Sequence, residues 1–92
     1  MSRSSHIENV KTGIRRALPS IASFAKSGAN VSRSKLRTES GLNDNDLQLA
    51  LRESHQGKAP AHVGKANGVK LYDSSAILKP LARWAGVWKY VL

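Results

Sequence analysis

The sequence predicts a small α+β domain that is mostly helical, with three or four helices, a two-stranded β-hairpin and a C-terminal helix. Apolar residues recur at helical spacing in several segments of the 92-residue chain. Asn67-Gly68 is the strongest short hairpin signal, because both residues tolerate the positive φ of a tight turn. The chain is 40% hydrophobic and 23% charged, which favours a folded domain over a disordered basic tail.

A chain of 92 residues has room for one core, so we expect a single domain over 1–92. Its predicted parts are leading helices (1–28), two helices joined by a turn (32–57), a hairpin (58–73) and a C-terminal helix with a tail (74–92). The absence of cysteine excludes a disulfide framework and a cysteine zinc site. The sequence has neither an apolar run of membrane-spanning length nor the apolar core of a signal peptide, so we expect a cytoplasmic protein.

The leading part is expected to contain two helices separated at Pro19. Ser5 and Glu8 have the spacing of a capping box, so the first helix should begin there. Its inward face carries the apolar residues Ile7, Val10, Ile14 and Leu18. Pro19 should end or kink this helix, and a second short helix should follow as far as Gly28. Segment 28–32 is expected to be a linker.

Two further helices are predicted after the linker. Ser32 can cap a helix over 33–40, and Asn43 or Asp44 can cap another over 44–56. Side-chain oxygens at these positions accept hydrogen bonds from the free N–H groups of the first helical turn.

The turn between these helices requires a residue in the left-handed conformation, and Gly41 supplies it. Apolar residues occupy the inward positions around the turn at Leu36, Leu42, Leu47 and Ala50. Arg37 departs from the usual pattern of two helices joined by a glycine turn. In that pattern a small residue packs four positions before the glycine. The alternative interpretation is an ordinary helical hairpin in a packed bundle.

After residue 57 the pattern changes to that of short strands. We expect strands at 61–64 and 69–72, joined across the asparagine–glycine turn. Asp73 or Ser74 should cap a last helix over 74–86. The tail after it could be a short strand or a helical end.

Three segments of the chain carry a family resemblance: ESGLNDNDL, HVGKANGVKLYD and AILKPLARW. On these segments, residues 31–84 resemble the winged-helix DNA-binding domains of the MerR and phage-excisionase type, at superfamily level. The resemblance covers a little over half of the chain. It implies a winged helix-turn-helix fold and double-stranded DNA as the partner. Residues 1–28 find no match in that type and resemble the leading helices of a general winged-helix domain.

The charge of the chain also favours a nucleic-acid partner. The net charge is +9, and the usual causes of such a bias are nucleic acid or an anionic membrane. Segment 1–37 has eight basic residues against one acid, 38–57 has one against four, and 58–92 has six against one. Two basic flanks therefore enclose an acidic centre.

By the resemblance, the helix after the turn enters the major groove of DNA. Its predicted base-reading residues are Asn43, Asn45, Gln48, Leu49 and Arg52. Asp46 could accept a hydrogen bond from a cytosine amine. The predicted contacts to the DNA backbone, including the hairpin, are Lys11, Arg15, Arg33, Lys35, Arg37, His62, Lys65, Asn67 and Lys70. A solvated helix face is the alternative for each base-reading residue, and a solvated surface charge is the alternative for each lysine.

The C-terminal segment carries an apolar stripe at helical spacing. It consists of Ile77, Leu81, Trp84 and Trp88. The chain's own core is one interpretation of this stripe. The more specific interpretation is a homodimer interface formed by Leu81, Trp84, Trp88 and Tyr90. A dimer would place two reading helices one DNA turn apart, on an inverted repeat.

The sequence shows no catalytic set, phosphate loop or metal-ligand spacing, so we expect neither an enzyme nor a metal, cofactor or small-molecule substrate. The predicted function is binding of double-stranded DNA at the nucleoid. The protein would act as a sequence-specific transcription regulator or an architectural factor of a mobile element such as a phage or plasmid. The alternative is a winged-helix adaptor whose acidic third helix binds a partner protein.

Overall fold

The computed structural model describes residues 3–92, so the first two residues of the predicted leading segment lie outside the described residues. Within this range the chain forms four α-helices and a three-stranded antiparallel sheet. The elements are α1 (Arg3–Ser27), β1 (Asn30–Ser32), α2 (Arg33–Ser40), α3 (Asp44–Ser54), β2 (Gly64–Ala66), β3 (Val69–Asp73), α4 (Ser74–Ala85) and a 3₁₀ turn (Trp88–Tyr90). The predicted class, α+β and mostly helical, is confirmed.

The leading segment is one helix, so the predicted helix end at Pro19 and the separate second helix are wrong. Pro19 is exposed and removes one backbone hydrogen bond donor. The buried face of α1 continues through it with Val10, Ile14, Ala17, Leu18 and Ile21. Because this face belongs to the hydrophobic core and α1 packs mainly on α4, tertiary packing outweighs the lost bond. The predicted start at Ser5 is also wrong, since α1 already begins at Arg3.

The predicted linker contains β1, which is one of the two edge strands of the sheet. The strand order is β1-β3-β2, with Val31 paired to Tyr72 across the ladder. Both side chains are buried on the same face. A three-residue strand has too little alternation to be recognised from sequence, and only its partner strand defines it.

The turn between α2 and α3 agrees with the prediction. Gly41 has φ 70° and donates its backbone N–H to the carbonyl of Arg37. Ser32 caps α2 and Asn43 caps α3, each accepting a backbone N–H with its side chain. The predicted inward residues Leu36, Leu47 and Ala50 are buried, and Leu42 packs against the core. Helix α3 ends at Ser54, two residues earlier than expected.

The hairpin turn is of type I′, because Asn67 and Gly68 have φ values of 53° and 79°. The first strand was predicted at 61–64 but is Gly64–Ala66. A two-residue turn requires the strands to begin directly beside it, which moves the first strand toward the turn. The hairpin is also part of a three-stranded sheet rather than a separate pair of strands.

Asp73 caps α4 by accepting from the backbone N–H groups of Ser75 and Ala76. Gly86, with φ 78°, ends the helix. The apolar stripe predicted to continue to Trp88 is therefore interrupted, since Trp88 begins a separate 3₁₀ turn. None of the described helices has a stretch both long and apolar enough to cross a membrane.

Candidate functional site

A groove of about 570 Å³ lies between α2, the first turns of α3 and the tip of the hairpin. It is open to solvent and is lined by Arg33, Ser34, Arg37, Asp44, Asn45, Gln48, Gly68, Val69 and Lys70. A shallower depression of about 440 Å³ shares Ser34 and Arg37 with it and reaches the α2–α3 turn. The groove unites residues that the sequence predicted separately as base-reading (Asn45, Gln48) and backbone-binding.

Arg33 links the three elements that form the groove. Its Nε donates to Oδ1 of Asp44 at 2.8 Å, and its Nη2 donates to the Asp44 carbonyl at 3.2 Å. Its Nη1 donates to the hydroxyl of Tyr72 on β3 at 3.0 Å. The Arg33 side chain is only 13% exposed. This predicted backbone contact is therefore mainly committed to bonds within the chain.

The charge state of the groove depends on the ion pair between Arg33 and Asp44. The hydrogen bond and charge of Arg33 hold the pKa of Asp44 below its ordinary value, and the charges of Arg37 and Lys70 lower it further. For Arg33, burial opposes the charged form, but the bonds to Asp44 and Tyr72 outweigh it and raise the pKa. Both groups therefore stay ionised at neutral pH, and Asp44 is locally neutralised.

Two basic side chains of the groove remain available. Arg37 and Lys70 are exposed, and neither forms an ion pair with any of the described residues. Lys65 on β2 stands directly opposite Lys70 on β3, so both side chains point to one face of the hairpin. Like charges in this position are unfavourable. An anion beside the hairpin would relieve that repulsion.

The outer face of α3 carries part of the predicted base-reading set. Asn45 and Gln48 line the groove, and the exposed Arg52 follows Gln48 by one helical turn. Asn43 uses its side-chain oxygen to cap α3, accepting the Asp46 N–H at 2.8 Å. Leu49 is half-buried and packs against the core, so it presents little apolar surface.

Three predicted backbone contacts lie outside the groove and have other partners. The ammonium of Lys11 lies 5.4 Å from the centre of the Trp84 ring. Arg15 donates to the Ala85 carbonyl at the end of α4, 2.8 Å away, and also pairs with a glutamate on α1. Lys35 pairs with Glu39 at 2.8 Å and lowers the pKa of that carboxyl. Of the remaining predicted contacts, His62 is exposed before β2 and Asn67 is exposed at the hairpin tip.

Asp46 turns away from the groove. Its Oδ1 lies 3.0 Å from Nε2 of His6 on α1, so this carboxylate ties the two helices together. The sequence suggested Asp46 as a possible acceptor for a cytosine amine, but the acid that lines the groove is Asp44.

The proposed dimer residues differ in how far they are exposed. Leu81 is 0% exposed within the chain's own core, so its assignment to an interface is wrong. Trp84 is half-buried under Lys11, and Tyr90 is half-buried with Lys89 above its ring. Trp88 is 57% exposed.

Two further residues lie near the groove: Ser34, which the sequence did not indicate, and Arg16, which it indicated only as a basic residue on the polar face of the first helix. Ser34 lines both depressions with an exposed hydroxyl. The guanidinium of Arg16 lies 3.8 Å from where a Cβ of Gly41 would stand, which places this cation beside the α2–α3 turn. The helical spacing of Gly13 and Arg16 could have indicated that α1 presents this face to the turn.

No known family, no curated protein and no solved structure is significantly similar to this chain. In the part of the chain that the structure describes, no group of three or more acidic or histidine side chains could hold a metal ion.

Proposed function

We propose that the chain is a winged helix-turn-helix protein that binds double-stranded DNA through the groove and the outer face of α3. The observation that carries the proposal is the groove itself. It places the amides of Asn45 and Gln48 beside the uncompensated charges of Arg37 and Lys70. Amides can read adenine edges, and cations can bind phosphates, so one surface holds both kinds of contact.

The order of the elements supports this fold. Helix α1 precedes a short strand, two helices joined by a left-handed glycine follow, and a tight hairpin returns beside the first strand. An α-helix with its side chains is about 10–12 Å in diameter and fits the major groove, which is about 12 Å wide. With α3 in the major groove, base edges would face Asn45 and Gln48 on the α3 side of the protein groove, and the DNA strand that borders the major groove would lie against Arg37 and Lys70.

The geometry limits the number of phosphate contacts. Lys11, Arg15 and Lys35 have partners elsewhere in the chain, and Arg33 is mostly enclosed. The cations left for phosphates around the groove are Arg16, Arg37, Lys65 and Lys70. With about four contacts, the log–log dependence of affinity on salt should have a slope of about −4.

The test is titration of a fluorescent random duplex at several salt concentrations. Arg37→Ala combined with Lys70→Ala should reduce the steepness of the salt slope by about 2, since about 0.9 is lost for each phosphate contact. The matched control is Lys79→Ala with Arg83→Ala, which removes the same charge from exposed positions on α4. Equal losses in both variants would mean that only net charge matters. If the wild-type chain does not bind at micromolar concentration in about 50 mM salt, the DNA proposal fails.

Recognition of a specific DNA sequence has a separate test. Sites selected from random DNA should lose affinity when Gln48 and Arg52 are both changed to alanine, while affinity for random DNA stays nearly unchanged. A selected site would support a role as a transcription regulator or an architectural factor of a mobile element, acting at the nucleoid. An inverted repeat among the selected sites would support a homodimer, which sedimentation of the free protein and of the complex would test directly.

The adaptor alternative has less support. It relied on an acidic, partly apolar α3 surface, but Asp44 and Asp46 pair with basic residues of the chain and Leu49 packs against the core. Helix α3 therefore presents amides and an arginine beside an aspartate that is already paired with Arg33, and it lacks an apolar face for a partner protein.

A further inference from the structure

We propose that Asp44 is a specificity-determining residue whose free carboxylate oxygen accepts a hydrogen bond from the 4-amino group of a cytosine. The inference rests on the proposed DNA-binding function and deepens it. Asp44 lines the groove next to Asn45 and Gln48, where base edges would be read.

The bond to Arg33 fixes how the carboxylate is presented. Oδ1 accepts from Nε of Arg33 at 2.8 Å, and no described side chain donates to Oδ2. The Asp44 side chain is 62% exposed although its partner is nearly enclosed. One oxygen of this groove-lining residue is thus anchored, and the other accepts from no described side chain.

The surroundings also make a carboxylate tolerable close to phosphates. Arg33, Arg37 and Lys70 all act on its charge and hold its pKa low. The group is ionised and acts only as an acceptor at neutral pH. Repulsion from DNA phosphates is offset by the same basic side chains.

The chemistry of the base edges selects cytosine. In the major groove, cytosine presents an amino donor, whereas guanine presents two acceptors and thymine an acceptor with a methyl group. Adenine has an amino group beside the N7 acceptor, which would repel a carboxylate. An anchored carboxylate should therefore favour cytosine over the other three bases, by about 5-fold or more for a single hydrogen bond.

Asp44→Asn is the informative variant. Arg33 Nε needs an acceptor, so the amide oxygen should keep that bond and the amide NH₂ should take the place of Oδ2. A donor would then face the base, and the cytosine preference should disappear. Asp46→Asn is the matched control, because it makes the same change in the same helical turn while its carboxylate faces His6.

The experiment is selection of DNA sites by the wild-type chain and both variants, followed by competition between the selected site and the site with that cytosine replaced. The wild type and Asp46→Asn should show one position restricted to cytosine, and Asp44→Asn should not. A purely structural role for Asp44 would weaken all sites equally and leave the preferred bases unchanged. That outcome, or a wild-type site without this cytosine, would overturn the inference while leaving DNA binding intact. No DNA binding by the wild type would instead overturn the proposed function, and the inference with it.

A change on the DNA side avoids any effect on protein folding. Replacing the selected cytosine with 2-pyrimidinone removes the 4-amino group. Wild-type affinity for the site should fall by about 5-fold or more, and Asp44→Asn affinity should hardly change. Equal losses for the two proteins would contradict the assignment.

Discussion

Gly13→Ala is expected to destabilise the protein, although alanine is the better helix former. Gly13 lies in the middle of α1, where it faces the turn between α2 and α3. A Cβ at this position would stand 2.7 Å from Cδ2 of Leu42 and 2.8 Å from the carbonyl oxygen of Ser40. The leucine can change its rotamer, but the carbonyl belongs to the last turn of α2 and can move only with the backbone.

The magnitude follows from two opposing effects. Alanine is favoured over glycine within a helix by about 1 kcal/mol. Overpacking a tight contact with backbone displacement costs about 1–3 kcal/mol. Since both close contacts lie below 3.0 Å, the upper part of that range applies, and the net loss in unfolding free energy should be about 1–2 kcal/mol. For a domain of this size, Tm should fall by about 5–10 °C.

The assay is thermal and urea unfolding of four proteins: the wild type, Gly13→Ala, Leu42→Ala and the double variant. Leu42→Ala removes two of the three nearest atoms, so the double variant should lose less stability than the two single losses combined. A rise in stability of about 1 kcal/mol for Gly13→Ala would refute the close approach of α1 to the turn, because helix propensity alone predicts that gain.

Three further predictions address single features. Pro19→Ala should raise the unfolding free energy by about 1–3 kcal/mol in urea titration, since Pro19 is an exposed proline inside a continuous helix. Gly68→Ala should lower it by about 1–2 kcal/mol, because alanine is strained at φ 79°; an unchanged Tm would contradict the type I′ turn. The pKa of Asp44 is lowered by Arg33, so its stabilising effect is complete above the ordinary carboxyl pKa and is lost as the pH falls through the lowered one. The Tm difference between wild type and Asp44→Asn should therefore be constant at neutral pH and shrink only below about pH 4.

Sequence patterns predicted most elements because each has a local physical cause. Gly41 was identified from the need for a left-handed residue, and Asn67-Gly68 from the needs of a type I′ turn. The apolar spacing of α1 and α3 found their buried faces. The predictions that failed depend on distant contacts. Strand β1 exists through its pairing with β3, and α1 continues through Pro19 with core residues buried on both sides of it.

The sequence predicted the elements that form the candidate site better than it predicted the side chains that are free to bind there. The sequence indicated which helix and hairpin would face a partner, and the groove lies between them. It could not indicate which cations were already engaged, since the partners of Arg15 and Arg33 are separated from them by 70 and 11 residues. Helical spacing alone also suggested Asp46 as the groove acid, while the contact with His6 on a distant helix turns it away.

These pairings explain why acids gather beside a surface proposed to bind a polyanion. Glu39, Asp44 and Asp46 each engage a basic partner within 3.0 Å. Their partners are Lys35, Arg33 and His6. The Asp44 and Asp46 contacts join α3 to α2 and α1, the Glu39 pair lies within α2, and the unpaired cations remain at the rim of the groove. Binding that depended only on the net charge of +9 would be insensitive to which lysine or arginine is removed. Binding through this arrangement requires the rim cations and leaves the paired ones to the stability of the fold.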